Sequence, residues 1–133
     1  MTIDKLLREA LTNIRESGCT RLDAEVILGH ILGKDRVYLH VHGDMEVGRE
    51  QEARFQKAMR ELAQGKPLHY ITGSKEWMGL DFHLDENVLI PREDTRILLE
   101  EILKLKAFFG KPIIIEIGTG SGILPVLLKK EWQ

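Results

Sequence analysis

The strongest constraint on the fold is an isoleucine-rich run that leads without a break into alternating glycines. The run is Ile113-Ile114-Ile115-Glu116-Ile117, and the glycine segment is Gly118-Thr119-Gly120-Ser121-Gly122. β-Branched residues that are apolar at nearly every position are typical of a central strand in a parallel sheet, which is covered on both faces. The residues from Ile123 to Lys130 then predict a helix. A strand, a glycine loop and a helix start form the arrangement that holds nucleotide-like ligands beside strand ends.

The glycine spacing narrows the choice of ligand. A dinucleotide fingerprint, Gly-x-Gly-x-x-Gly, would need its third glycine where Ile123 stands. A phosphate-binding P-loop needs Gly-Lys followed by Ser or Thr, and this tripeptide is absent from the sequence. Glu-x-Gly-x-Gly-x-Gly is instead the pattern of class I methyltransferases, whose glycines let the backbone approach S-adenosylmethionine where a Cβ would collide. The alternative is a tight turn without a ligand, since such turns also use glycine.

The first half of the chain has the periodicity of amphipathic helices. We predict helices over residues 3–14, 22–32 and 49–63, and a short helix after Asp35. Glycines at the ends of these segments, such as Gly33, are typical helix stops. The helices are too small to be stable alone, which predicts a bundle suited to recognition. For the second helix we expect a buried stripe made of Leu22, Val26, Ile27, His30 and Ile31.

A change of pattern after Pro67 predicts a β-hairpin that connects the bundle to the later residues. Tyr70 to Gly73 reads as a short extended segment, and Leu80 begins the alternation of a half-buried strand. Asn87 offers a turn, and residues 88–90 read as the second strand of the hairpin.

A further helix is predicted to open within residues 91–95. Its acidic start, Glu93 and Asp94, suits the positive end of the helix dipole. The segment Gly110-Lys111-Pro112 is a clear break after it. The expected inner stripe of this helix is Ile97, Leu98, Ile102 and Leu105.

Composition excludes several classes of function. The 133 residues carry 19 basic and 21 acidic side chains, and both signs are spread evenly over the two halves of the chain. No basic face for nonspecific nucleic-acid binding is therefore expected. The single cysteine, Cys19, excludes a disulfide framework and a multi-cysteine zinc site, and a reduced, cytoplasmic location is the simplest interpretation. His30, His40 and His42 lack the spacing of metal ligands, so no metal site is expected. The apolar stretches are far shorter than the ~18 residues of a membrane span.

Several segments together resemble one family, the protein-(glutamine-N5) methyltransferases that modify peptide chain release factors. The glycine loop 116–122 lies at the expected distance downstream of the other segments. Residues 21–25 and 29–33 also resemble that family's helical N-terminal domain. The segments that carry the resemblance are Pro67-Leu68-His69-Tyr70-Ile71-Thr72-Gly73, Glu76-Trp77-Met78-Gly79-Leu80-Asp81-Phe82 and Val88-Leu89-Ile90-Pro91-Arg92-Glu93-Asp94-Thr95.

The resemblance implies a fold in three parts. The first is a mainly α bundle over residues 1–66 that helps to engage the release factor, and the second is a β-hairpin linker over residues 67–92. The third, residues 93–133, is the first strand, loop and helix of a Rossmann-like class I methyltransferase domain, a truncated α/β domain that binds S-adenosylmethionine.

The resemblance also implies the residues of the cofactor site. Gly118, Thr119, Gly120, Ser121 and Gly122 would line the S-adenosylmethionine pocket with Glu116 beneath it, while Pro91, Arg92 and Thr95 would lie beside it. For Arg92 and Thr95, helix capping with a surface ion pair is an equal alternative. Trp77, Met78 and Phe82 are interpreted as interdomain core rather than as substrate contacts.

Two expected features of the family are missing from these residues. The Asn-Pro-Pro-Tyr segment that holds the target glutamine does not occur, and neither does the acidic residue that would hold the ribose. We therefore interpret the chain as an N-terminal piece of the enzyme and expect the catalytic residues beyond Gln133. This chain alone should show negligible methyl transfer. Without neighbouring strands, residues 113–117 should be exposed or rearranged. Pro125 lies early in the last predicted helix, where it could displace the helix start.

The leading hypothesis is S-adenosylmethionine-dependent methylation of the glutamine side chain in the Gly-Gly-Gln loop of a peptide chain release factor. A related methyltransferase that acts on an exocyclic amine of a nucleic-acid base is one alternative, which the near-neutral charge disfavours. A non-catalytic helical module that binds a protein partner is the other. We expect neither a membrane nor a nucleic acid as a direct partner.

Overall fold

Helices dominate the computed structural model, which describes residues 1–13 and 18–132 and divides the chain into two units, residues 1–72 and 73–133. Within the described residues, the first unit holds α1 (Ile3–Asn13), α2 (Arg21–Leu32), α3 (Arg36–Val41), α4 (Arg49–Ala63) and α5 (Leu68–Thr72). The second holds β1 (Ser74–Trp77), β2 (Leu80–His83), α6 (Asp94–Lys104), a short 3-10 turn (Leu105–Ala107) and α7 (Ile123–Glu131). The described residues thus form a mainly helical fold with one small antiparallel sheet.

The second helix, α2, is central to the first unit, where it contacts α1, α3, α4 and α5. A capping box starts it, in which the Thr20 hydroxyl accepts from the Asp23 N–H and the Asp23 carboxylate accepts from the Thr20 N–H. The predicted bounds of α2 and α4 are confirmed within one residue, and Asp35 caps α3 as expected. Ile14, the predicted last residue of the first helix, lies outside the described residues.

The predicted buried stripe of α2 is wrong in part. Ala24, Ile27 and Leu28 are buried, whereas Leu22 and His30 are exposed. A helix that is packed by neighbours on several sides has no single apolar stripe, so helical spacing alone selects the wrong face.

Gly29 lies where the chain leaving α2 passes closest to the helix. A Cβ built on Gly29 would lie 2.7 Å from the carbonyl oxygen of Lys34, which is a backbone atom that cannot swing away. The N–H of Lys34 donates to the carbonyl of Gly29 at 2.9 Å and holds this approach in place.

The prediction of an extended segment at residues 70–73 is wrong, because residues 70–72 belong to the helix α5 and only Gly73 lies outside it. The carbonyl of Pro67 accepts from the N–H groups of Tyr70 and Ile71 at 3.0 and 3.3 Å. A proline with its fixed φ is well suited to such a helix start, and α5 then packs against α2 and α4. Tertiary packing therefore outweighs the β propensity of residues 70–72.

A hairpin exists, but with a different strand pair from the predicted one. β1 pairs antiparallel with β2, with Trp77 opposite Leu80, and residues 88–90 form no strand. The two turn residues, Met78 and Gly79, both have positive φ (51° and 77°), as a type I′ turn requires. Gly79 suits its position in this turn, but methionine rarely adopts such a φ, so the two residues together did not predict the turn.

The core of the second unit forms where the hairpin, α6 and α7 supply apolar side chains. Trp77 and Phe82 are buried in it, whereas Met78 is 42% exposed at the turn, so the interpretation of Met78 as core is wrong. The predicted inner stripe of α6 is also wrong in part, because Leu99 is fully buried while Ile97 and Leu98 are exposed.

The last predicted helix is confirmed as α7. Pro125 is its third residue and does not displace the helix start. The first N–H groups of a helix have no partner within the helix, so proline costs no hydrogen bond there.

The isoleucine run forms no strand among the described residues. Ile113, Ile115 and Ile117 are 94%, 85% and 96% exposed, which confirms the expectation that this run would be exposed. A strand needs a neighbouring strand to satisfy its backbone, and the described part of the chain places none beside it.

Candidate functional site

The glycine loop joins the isoleucine run to α7. Gly118, Gly120 and Gly122 have φ values of 78°, 55° and 78°, in the left-handed region that favours glycine. A Cβ built on any of the three would meet no heavy atom within 4 Å. The loop therefore needs glycine for its backbone conformation, and it leaves open the space that a closely approaching ligand would occupy.

A carboxylate beside the loop helps to hold its shape. The Thr119 hydroxyl donates to Oε2 of Glu116 at 2.8 Å, and the N–H of Gly122 donates to the Thr119 carbonyl at 2.9 Å. Glu116 is partly buried, and its Oε1 has no hydrogen-bond partner among the described residues. That oxygen is free to accept from an amino group or to attract a positive charge.

The start of α7 places backbone N–H donors beside the glycine loop. Gly122 stands at its N-cap, where no side chain of the described residues caps the helix. The first backbone N–H groups of such a helix carry a partial positive charge and can receive an anionic or polar group. Ser121 is partly buried next to this end.

A large open cavity of about 1040 Å³ lies between residues 111–119, α6 and α7. Of the predicted site residues, only Glu116 and Thr119 line it. Most of its lining is apolar, including Leu98, Ile114 and Leu124. Exposed apolar surface of this extent is typical of a face that packs against further protein, so the cavity is distinct from a pocket shaped for a polar, charged cofactor.

The other predicted site residues lie at the start of α6. Pro91 is buried, and its carbonyl accepts from Nζ of Lys75 at 2.8 Å, which ties this segment to β1. The N–H of Thr95 donates to the carbonyl of Arg92 at 3.0 Å in the turn that opens the helix. Arg92 is exposed. In the described part of the chain, no hydrogen bond or ion pair joins this segment to the glycine loop. The alternative role is not supported either, because among the described residues the side chain of Thr95 does not cap the helix and Arg92 forms no ion pair.

Sequence reasoning missed a buried carboxylate in the first unit. Glu25 is 2% exposed and receives a hydrogen bond from Nε of Arg21 at 2.8 Å and one from Nε of Arg36 at 2.9 Å, while Nε2 of His40 lies 3.4 Å away. Burial alone would raise the pKa of this carboxyl, but the two arginines and His40 hold the pKa below its ordinary value of 4.5. The i, i+4 spacing of Arg21 and Glu25 could have indicated their ion pair from the sequence. Arg36 lies on another helix, so no spacing in the sequence indicated its contact with Glu25.

Two of the three histidines considered as metal ligands have structural contacts that account for them. His40 faces Glu25, and the ring of His42 stacks on Tyr38 with centroids 4.1 Å apart. Over residues 1–13 and 18–132, no three metal-ligating side chains gather into a cluster, and no helix is long and apolar enough to cross a membrane.

Comparison with known proteins places these features in context. The family described as PrmC N-terminal domain matches residues 5–73. The release factor glutamine methyltransferase of Koribacter versatilis is 34% identical over 134 residues, which is 99% of this chain and 48% of that protein. The chain is also similar to the release factor glutamine methyltransferase of Chlorobaculum tepidum, with 38% identity over 81% of this chain and 38% of that protein. With that of Geobacter sulfurreducens it shares 37% identity over 98% of this chain and 46% of that protein. The chain spans about half the length of the curated relatives that it matches.

Proposed function

Because the chain belongs to the family of release factor glutamine methyltransferases that carry the PrmC N-terminal domain, we propose that it forms part of an enzyme of translation termination. The enzyme transfers a methyl group from S-adenosylmethionine to the side-chain nitrogen of the glutamine in the Gly-Gly-Gln loop of a peptide chain release factor. It works in the cytoplasm. The first unit engages the release factor, and residues 93–133 begin a Rossmann-like catalytic domain.

The glycine loop is the observation that carries this proposal. Its three left-handed glycines leave open the positions that Cβ atoms would fill, so the backbone can lie against a bulky donor. Glu116 offers an anchored carboxylate to the amino group of the donor, and the N-terminus of α7 offers N–H groups to its polar atoms. We assign Gly118, Thr119, Gly120, Ser121 and Gly122 to this cradle, with Pro91, Arg92 and Thr95 ordering its edge.

The chemistry defines what these residues must achieve. An amide nitrogen is a weak nucleophile, because its lone pair is delocalised into the carbonyl. Orientation of the nitrogen in line with the transferable group therefore supplies much of the rate enhancement. When bound, S-adenosylmethionine supplies an electrophilic methyl group on a positively charged sulfur. The loop fixes the position of the donor, and we assign the groups that hold the glutamine to residues beyond Gln133.

Calorimetry and mass spectrometry test the proposal on the full-length protein. We expect S-adenosylmethionine binding and methylation of the release factor glutamine, with both lost in Gly118→Val and both retained in the matched Gly110→Val control. Gly110 also has open space at its Cβ but no positive φ. The chain of residues 1–133 alone should show negligible turnover. A folded full-length protein that binds the release factor but neither binds nor uses the donor would instead indicate a non-catalytic binding module.

A further inference from the structure

A small groove in the first unit lies between α2, α4 and α5. Its floor is apolar and consists of Ile27, Ile31, Ala58 and Ile71. Its rim carries polar side chains, among them His30, Arg54 and Lys57. An apolar floor beneath a charged rim is the usual anatomy of a protein contact.

The size of the groove favours a side chain over a small molecule. Its cavity measures about 260 Å³. Sites for cofactors and drug-sized ligands occupy roughly 300–1,000 Å³. The groove therefore suits one large apolar side chain of a partner, inserted as an anchor.

The rim of the groove is positive although the chain as a whole has a formal net charge of -2. Arg54 and Lys57 are exposed and lie three residues apart on α4, so their side chains share one face. Glu61 is the acidic residue of the rim, and it already pairs with Lys57 at 3.8 Å and with Lys66 at 3.3 Å. Arg54 has no ion pair or hydrogen bond among the described residues, which leaves its guanidinium available to a partner.

We propose that this groove is the surface on which the first unit docks the release factor. The segment that it receives presents one large apolar side chain flanked by aspartate or glutamate. The apolar side chain fills the groove over Ile31 and Ala58, and the carboxylates meet Arg54 and Lys57. The identity of the partner rests on the proposed function, whereas the chemistry of the docked segment rests on the groove itself.

Charge reversal on the rim provides the test. In the full-length protein, the double variant Arg54→Glu/Lys57→Glu should weaken binding to the purified release factor on the order of tenfold, and most strongly at low salt. Arg54→Lys/Lys57→Arg keeps the charge and should bind nearly as the parent does. The matched control is Lys5→Glu/Arg8→Glu, which places the same change at the same spacing on exposed residues of α1 and should change binding less than twofold.

Kinetics separate the docking proposal from the proposed function. The rim variant should show a raised KM for the intact release factor, with unchanged methylation of a short Gly-Gly-Gln peptide. Docking at the groove is overturned if the rim variant and the parent bind the release factor equally, if the α1 control weakens binding as much, or if the parent does not bind at all. Conversion of a dimer into a monomer by the rim variant, measured by sedimentation, would identify a second copy as the occupant and would also overturn it. Failure of the parent to methylate factor and peptide, with rim-dependent binding intact, would refute the proposed function alone.

Discussion

The two units differ in where their longest runs of apolar side chains lie relative to a core. In the first unit, Leu28 and Phe55 are fully buried in a closed core. In the second, Phe108 and the isoleucines at 113, 115 and 117 are largely exposed. A helix satisfies its own backbone, so helices need only cover one face to form a stable bundle, whereas a strand also needs a hydrogen-bonding neighbour. Local pattern therefore predicts the bounds of α2 and α4 in the first unit but not the structure of the isoleucine run in the second.

Truncation of an aromatic side chain in the closed core should have the largest effect on stability. Phe55→Ala should lower the free energy of unfolding of the first unit by about 4 kcal/mol, because it leaves a cavity among packed side chains. Urea denaturation followed by helical circular dichroism measures the loss. Val37→Ala, at an exposed position of α3, is the control and should change the free energy by less than about 0.5 kcal/mol. Equal effects of the two would show that the core is not closed.

Removal of the buried charge should have the next largest effect. Glu25→Gln should cost about 2 kcal/mol at neutral pH, because the amide keeps the shape of the side chain but loses two charge-assisted hydrogen bonds. The folded pKa of Glu25 lies below 4.5, so its contribution is complete above that pH and is lost as the pH falls through the folded value.

Denaturation curves of both proteins at several pH values provide the measurement. The parent should lose more stability than Glu25→Gln as the pH falls below about 4.5. Parallel loss in the two proteins would mean that Glu25 is not the linked group.

Substitution of a glycine in the loop should lower the free energy of unfolding less than truncation of a core side chain does. Gly120→Ala should cost about 1 kcal/mol, from the positive φ alone, because its Cβ meets no atom within 4 Å. Gly110→Ala has equal space without the positive φ and should be neutral or slightly stabilising. A loss of several kcal/mol for Gly120→Ala would show that the loop is packed rather than open.

The exposed isoleucines should have the smallest effect on stability. Ile113→Lys/Ile115→Lys should change the free energy of unfolding by less than about 0.5 kcal/mol, since no packing is lost. The same change should reduce self-association of the chain of residues 1–133, measured by sedimentation, because an exposed apolar run is a template for pairing. Val37→Lys/Val41→Lys, a similarly exposed pair in the first unit, should leave self-association unchanged.

The same physical difference limits what could be predicted from the residues. The bounds of α2, α4 and α7 followed from periodicity and end signals, because these are local. The helix at residues 68–72 and the turn at Met78-Gly79 did not, since the first depends on packing against α2 and α4 and the second on a φ that methionine rarely adopts.

Only those features of the candidate site that depend on residues close together in the sequence could be predicted. The contact of Glu116 with Thr119 spans three residues, and the left-handed glycines follow from their type. The contact of Lys75 with the Pro91 carbonyl and that of Arg36 with Glu25 join distant segments, and no spacing rule predicts them. The roles of Pro91, Arg92 and Thr95 beside the cofactor remain predictions.

The close approach at Gly29 also restricts how the first unit can evolve. Alanine, the smallest possible replacement, already brings its methyl carbon within 2.7 Å of the Lys34 carbonyl oxygen. Since the obstacle is main chain, exchanging the side chain of a neighbour cannot relieve it. Any other residue at that position therefore requires the backbone near Lys34 to shift, and a variant that keeps this path of the chain after α2 should retain glycine.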